Sequence, residues 1–420
     1  MRALISTIRP ACGGVAAKLE WVIAELEALG ITPVLAWYEP WSCSPELSVP
    51  FGALLQGRQI GQRQQTSLGG HQGHGLGAWL PELEFTHFRP GDYWKTLVAS
   101  CDLHLAVTGN PLCAARYSSL NLPFLAWIGS DWQGDRRDRV RQFPPVRRLL
   151  DRSVNAPVLR RLERQVLRAP KGHILTISQV TGRALAAIGG RPMDGVLYRP
   201  SDPQLFHPAH ERREPWRLGF SGRYSDPRKQ IDLLLVVVQR LMLQGWPVQL
   251  ELTGEADGTF LRPRLQALGI ADRVRCHPLL SPAQLAATLQ SWDLFVIPSH
   301  QEGLCIAGLE AMACGLPVVS TRCGGPEDFV IPDQTGALVQ GTTQATTQAT
   351  TQGMVQGMVQ GIDQGLVEAM AEAITAICAD RDRRERLGAG ASAWIGRHAS
   401  PQVSRGRFRQ HLRATFPAVP

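Results

Sequence analysis

The stretch Ser299–Gly325, SHQEGLCIAGLEAMACGLPVVSTRCGG, sets Glu302 and Glu310 on either side of seven mostly apolar residues. Immediately before it, DLFVIPS (293–299) reads as a short buried strand, and PVVSTRC (317–323) reads as the next one. The glutamates therefore belong to a loop and a helix that join two strands of an open α/β sheet. A strand ending near Ser299 puts Glu302 on the loop at its carboxyl end. A helix that begins between Gly303 and Ile306 turns free N–H groups toward that loop and carries Glu310 about two turns further on. AMACGLP behind them is helix packing followed by a glycine stop.

The same alternation extends upstream. RLGFSG, VQLELTG and RVRCH read as strands, and KQIDLLLVVVQRLMLQG, TFLRPRLQALG and SPAQLAATLQSW as the helices between them. An independent start lies at the amino terminus: the strand RALISTI, the loop ACGG, a helix with Leu19, Val22, Ile23, Leu26 and Leu29 on one face, and the strand TPVLAWY. DLHLAVTG, PFLAWIGS and GHILTIS continue it. The expected fold is α/β, with two Rossmann-like doubly wound domains facing across a cleft. Residues 1–200 form the first domain, 201–215 a Pro-rich charged linker, 216–398 the second domain, and 399–420 a last helical segment that packs back on the first. Residues 42–92 show little periodicity and read as a long loop. Thr342–Gly361, tandem units of Thr-Thr-Gln-Ala and Gly-Met-Val-Gln, reads as low-complexity sequence within a surface insert at 341–365. LVEAMAEAITAICADRDRRERL reads as one helix.

Composition narrows the setting without naming a function. Lys and Arg total 44 against 36 Asp and Glu, an excess that suits an anionic partner. Nine cysteines, from Cys12 to Cys378, show neither zinc spacing nor clustered pairs, which fits a reduced cytoplasmic setting. No segment approaches the roughly 18 apolar residues of a spanning helix, and no metal, cofactor or nucleic-acid partner is expected.

Several of these stretches together resemble glycosyltransferase family 4, the retaining enzymes of GT-B fold. EGLCIAGLEAMACGLPVVSTRCGGPEDFV resembles the donor-sugar motif; CGG, ILTIS, FSGRYSDPRKQIDLLL, SWDLFVIPSHQEG and DQTGALV agree in order. The resemblance implies a hexose transferred from a nucleotide diphosphate sugar to an acceptor that the sequence does not identify. It assigns Arg223 and Lys229 to the diphosphate, with one residue more than usual between them, so that Arg228 is an alternative to Lys229. It assigns Gly14 to the diphosphate from the opposite domain, Glu302 to the sugar hydroxyls, Glu310 to the ribose diol, and Gly303, Leu304, Cys305 and Ile306 to the loop and helix start around the donor. Cys305 stands where the family has a small residue or proline.

On physical grounds, two cations after a strand can offset charge building on a leaving diphosphate, and glycines such as Gly13 and Gly14 let a helix N-terminus approach phosphate. Each signal also has a plainer reading, as solvated loop charges or turn glycines. Where the family carries a histidine, this chain has Gly129-Ser130-Asp131; Asp131 is either a polar contact near the reacting sugar or a helix cap. Arg136–Arg168, with eleven arginines against three acids, reads as basic amphipathic helix broken or restarted at Pro157. Its stripe Leu150, Val154, Val158, Leu162 and Val166 is either a buried face under solvated charge or part of a surface for anionic membrane. Two other functions remain open, a catalytically silent scaffold and a sugar-nucleotide epimerase of the same fold.

Overall fold

The computed structural model describes residues 1–9, 13–66, 70–141, 143–208, 216–255, 257–340 and 362–420, with only the backbone at 65, 66, 135, 137–139 and 141. The Thr342–Gly361 repeats, linker residues 209–215 and Cys12 lie outside the described residues. Contacts divide the chain into two units, Met1–Tyr198 with Arg405–Pro420, and Arg199–Ser404.

The first unit is built on β1 (Arg2–Thr7), β2 (Thr32–Tyr38), β3 (Gln62–Thr66), β4 (Gln72–Leu76), β5 (Leu103–Thr108), β6 (Phe124–Ile128), β7 (Gly172–Thr176) and β8 (Gly195–Val196). They form one sheet in the order β3-β4-β2-β1-β5-β6-β7-β8, parallel except for the β3–β4 pair. Five successive residues of β1 and all six of β5 are buried, the pattern of strands covered on both faces. One face packs Ile5, Leu35 and Leu105 against Leu19, Val22, Ile23 and Leu26 of α1 (Gly14–Glu27) and against Phe408 and Leu412 of the last helix. The other packs Leu4, Val34 and Ala106 against Tyr117, Phe124 and Leu185. Arg405 anchors the last helix by donating from Nε to the buried Glu25 at 2.9 Å.

The second unit holds β9 (Trp216–Ser221), β10 (Val248–Thr253), β11 (Val274–Cys276), β12 (Leu294–Ile297), β13 (Val318–Thr321) and β14 (Gly336–Val339), all parallel, in the order β11-β10-β9-β12-β13-β14. Leu233–Val238 are buried in one unbroken run, because their helix is covered by the sheet on one side and by the helix Gln364–Cys378 on the other.

Three expectations need correction. Residues 42–92 are not a featureless loop: β4 pairs with β2 and β3, and 3-10 turns run at Pro45–Leu47, Phe51–Gln56 and Glu84–Phe88. The glycines that hide this pattern allow close backbone approach. A Cβ on Gly77 would fall 1.7 Å from the Leu47 carbonyl oxygen.

The helix expected over 366–387 is two, Gln364–Cys378 and Arg381–His398, because the Asp380 carboxylate accepts the Arg383 N–H and starts a new one.

Pro157 does not break the basic stretch. A single π turn, Asp151–Asn155, links the helix Pro145–Leu150 to Ala156–Leu167, and Pro157 falls in the first turn of the latter, where a missing N–H costs little. The buried face is Asn155, Leu159, Glu163 and Val166, so only Val166 of the expected stripe is buried.

Candidate active site

In the second unit chain order reverses beside β9, which pairs with β10 on one side and β12 on the other. Open parallel sheets bind ligands outside the carboxyl ends of strands at such a reversal. The loops that leave β9 and β12 carry the residues singled out in the sequence.

After β9, the Asp226 carboxylate accepts the Arg228 N–H and caps the turn Pro227–Lys229; Gln230 follows at φ +44° and starts α2 (Ile231–Leu243). The turn sends its two cations in different directions. The Arg228 guanidinium returns to Asp226 at 2.8 Å, whereas Lys229 Nζ donates to Glu302 Oε1 at 2.6 Å. Ser299 Oγ donates to the same oxygen at 2.7 Å. Burial alone would lower the Lys229 ammonium, but the Glu302 carboxylate beside it carries it above its ordinary value. Arg223 stays largely in solvent, 63% exposed and 3.5 Å from Asp226.

Backbone contacts fix the Glu302 loop. Its N–H donates to Cys323 O at 2.7 Å, and its carbonyl accepts the Gly325 N–H at 2.9 Å. A Cβ on Gly325 would lie 2.4 Å from Gly303 O, so the Gly324-Gly325 pair admits that loop. Leu304 is buried and can offer a ligand only its backbone.

Cys305 adopts φ +69° directly before α3 (Ile306–Ala313). That conformation explains why a small residue suits the position, and it excludes the other expected residue, proline, whose ring fixes φ near −65°. Burial, with the Glu302 charge, pushes the Cys305 thiol far above the thiol range, so it is not a reactive thiolate.

Glu310, in α3, has a separate partner. Arg199 Nη1 donates to its Oε1 at 3.1 Å. Burial raises the Glu310 carboxyl, and Arg199 opposes that shift. The two glutamates are thus neutralised by cations from two distant segments.

The first unit presents a different arrangement. Gly13, at φ +99°, admits the turn into α1, and Gly14 is that helix's first residue. The Asp131 carboxylate accepts the Gly134 N–H at 2.6 Å and so caps the helix Trp132–Arg141, the second of its two readings. Glu163 Oε1 accepts the Trp132 N–H at 2.8 Å, and burial pushes its carboxyl up to about 7. Sequence reading missed Arg199, Ser299 and Glu163. Arg199 sat at the end of the expected first domain, just before the linker, and Glu163 in an arginine run, and only the order Ser-x-x-Glu at 299–302 hinted at Ser299.

Comparison with known proteins follows this geometry. Sucrose-phosphate synthase from Thermosynechococcus elongatus superposes with a TM-score of 0.71 at 19% identity, over 99% of both chains. Anabaena HepE in complex with UDP gives 0.65 at 16%, over 99% of this chain and 100% of that one. The fold is GT-B. Within this GT-B chain, residues 215–356 match the family model described as Glycosyl transferases group 1, a span that contains Arg223, Lys229, Glu302 and Glu310. D-inositol 3-phosphate glycosyltransferase of Segniliparus rotundus is 38% identical over 127 residues, 29% of this chain and 28% of that protein. The enzyme of the same name from Xylanimonas cellulosilytica is 31% identical over 185 residues, 43% of this chain and 39% of its own length. The matched stretches thus span less than half the length of these relatives. Among the described residues no helix is long and apolar enough to cross a membrane.

Proposed function

We propose that this chain is a retaining glycosyltransferase of family 4 that moves a hexose from a nucleoside diphosphate sugar to a hydroxyl acceptor. The observation that carries the reading is the Lys229–Glu302 pair, at 2.6 Å, on loops leaving adjacent strands at the sheet reversal. The group 1 match over the same residues supports it, as do the names of the relatives and the UDP bound to Anabaena HepE.

On this reading Lys229 and Arg223 hold the diphosphate and stabilise the charge that grows on it as the anomeric bond breaks. No divalent cation is then required. Glu302 accepts from hexose hydroxyls, and Ser299 orients it. Glu310 accepts from the ribose diol. The acceptor hydroxyl attacks on the face the diphosphate leaves, and its proton passes to a leaving phosphate oxygen. The cytoplasm supplies such donors.

A thermal-shift panel of UDP, GDP and ADP with their sugars tests the donor site, because a ligand that binds only the folded state raises Tm. One base should raise Tm in the wild type and fail to do so in Glu310→Ala and Lys229→Ala. No shift with any nucleotide would favour the silent scaffold. Turnover with the responding donor, read by the anomeric coupling constant of the product, tests retention.

Docking to anionic membrane belongs to the same proposal. The helix Pro145–Leu150 leaves Val146 and Leu149 81% and 66% exposed, with the exposed Arg147 and Arg148 between them. Flotation with liposomes that depends on anionic lipid and is lost on Val146→Ser/Leu149→Ser supports docking; flotation indifferent to anionic lipid refutes it.

A further inference from the structure

Arg199 is the first residue of the second unit, and it reaches Glu310 from 111 positions away in sequence. A carboxylate that accepts two hydroxyl bonds from a diol must be ionised and held in one orientation. Burial at this place favours the protonated form, and the guanidinium is the charge that opposes it. The hydrogen bond is monodentate, to Oε1, so it engages one of the two carboxylate oxygens. Arg199 Nε–H is itself buried with no hydrogen-bond partner among the described residues.

We infer that Arg199 is a positioning residue for the donor nucleotide, orienting the Glu310 carboxylate and keeping it charged for the ribose diol. The inference rests on the donor-site reading above. It adds a residue that no motif marks and that lies outside the matched span 215–356. The titratable groups facing Glu310 are Arg199 and the Cys314 thiol, which burial and the Glu310 charge push up to about 12. The thiol stays protonated between pH 6 and pH 8, so a pH dependence that appears only when the guanidinium is removed belongs to the carboxyl.

Titration calorimetry with UDP, GDP and ADP at pH 6 and pH 8 tests this on the wild type, Arg199→Met, Arg199→Lys, Glu310→Gln and the double variant Arg199→Met/Glu310→Gln. For the nucleotide that binds the wild type, Arg199→Met should weaken binding about tenfold at pH 8, the scale of a charged hydrogen bond. Relative to the wild type it should weaken it further at pH 6, because burial without the cation favours the protonated carboxyl. Arg199→Lys keeps the charge and loses the fork geometry, so it should cost a few-fold with no added pH dependence. In the Glu310→Gln background Arg199→Met should cost less than about twofold, because its effect runs through the carboxylate. The double variant leaves neither charge buried, and it serves as the folded reference if Arg199→Met alone is unstable.

Equal affinity of wild type and Arg199→Met at both pH values would overturn the inference, as would the same tenfold loss in the Glu310→Gln background. If Glu310→Gln weakens binding while Arg199→Met does not, the ribose reading stands and only this inference falls. If Glu310→Gln changes nothing, or no nucleotide binds, the ribose reading falls and takes the inference with it.

Discussion

The two units differ in how they hold several of their buried charges. In the second unit, charged side chains pair with one another: Lys229 with Glu302 at 2.6 Å, and Arg199 with Glu310 at 3.1 Å. In the first unit, beside ion pairs such as Arg9–Glu39 at 3.1 Å and Arg136–Glu84 at 2.8 Å, several charged side chains pair with backbone. Lys18 Nζ, fully buried, donates to Thr108 O at 2.7 Å and Trp127 O at 3.2 Å. The buried Arg116 donates to the His87 carbonyl and to Ser6 Oγ, and lies 3.7 Å over the Trp94 ring. Asp131 and Glu163 accept from the N–H groups of Gly134 and Trp132. A side-chain ion pair can exchange one partner for a charged or hydroxylated ligand at little net cost. A charge engaged by strand ends or a helix start cannot do so without loosening the fold. On the proposed donor-site reading, the ion pairs of the second unit are the ones a ligand would open, and the backbone-held charges of the first unit hold shape.

The comparison breaks most visibly at Lys229. Lys229→Met should lower kcat/KM about a thousandfold in a donor-transfer assay, the upper range for loss of one transition-state donor. It should also cost about 3 kcal/mol in denaturant unfolding, because Glu302 is left buried without its cation. Adding Glu302→Gln should recover most of the stability and none of the activity. Recovery of both would mean that the pair is structural, like the charges of the first unit.

Lys18 tests the other side. Burial holds its ammonium down to about 7, well below the ordinary 10.5. Folding at pH 6 therefore carries the cost of a buried charge, and that cost fades as pH rises through 7 toward 10.5. Lys18→Met should gain about 3–5 kcal/mol on the wild type at pH 6 relative to pH 10, read from parallel urea titrations. A difference that does not change with pH would show that the folded-state amine titrates near its ordinary value, as a solvated one does.

Glu163 has the opposite sign. Its folded carboxyl is held up to about 7 against an ordinary 4.5, so its favourable contribution is complete below 4.5 and is lost as pH rises through 7. Glu163→Gln keeps the acceptor oxygen for Trp132, and should match the wild type near pH 4 and exceed it by about 2–3 kcal/mol at pH 8. The smallest effect lies at the Glu302 loop. Cys305→Gly removes a side chain from φ +69° and should stabilise by about 0.5–1 kcal/mol after the entropy of glycine is counted. On the proposed donor reading, affinity should be unchanged, since Cys305 would contribute only backbone.

The two-domain α/β alternation was legible because long buried strands and helix faces leave a strong periodic signal. Glu302, Glu310, Arg223 and Lys229 were legible as candidates because they follow strand ends within stretches that resemble the glycosyltransferase family 4 motifs. The β3–β4 pair escaped notice because it is mostly glutamine and glycine: β3 is an exposed edge, and the glycines of the buried β4 admit close approach without an apolar signal. The π turn before Pro157 escaped because the same apolar spacing fits a broken helix or a bulged one. Asp131 remained ambiguous because an aspartate before a helix has the same sequence signature whether it caps or binds.

By itself, the sequence determined which segments become strands and helices and which strand ends carry charge, since both follow from local periodicity and local order along the chain. Only the tertiary structure decided which charge meets which. Lys229 instead of Arg228 faces Glu302 because one turn rotates their side chains apart, and Arg199 reaches Glu310 across 111 residues because the fold brings them together. Pairing energies depend on distance and burial, and neither quantity is encoded in sequence spacing.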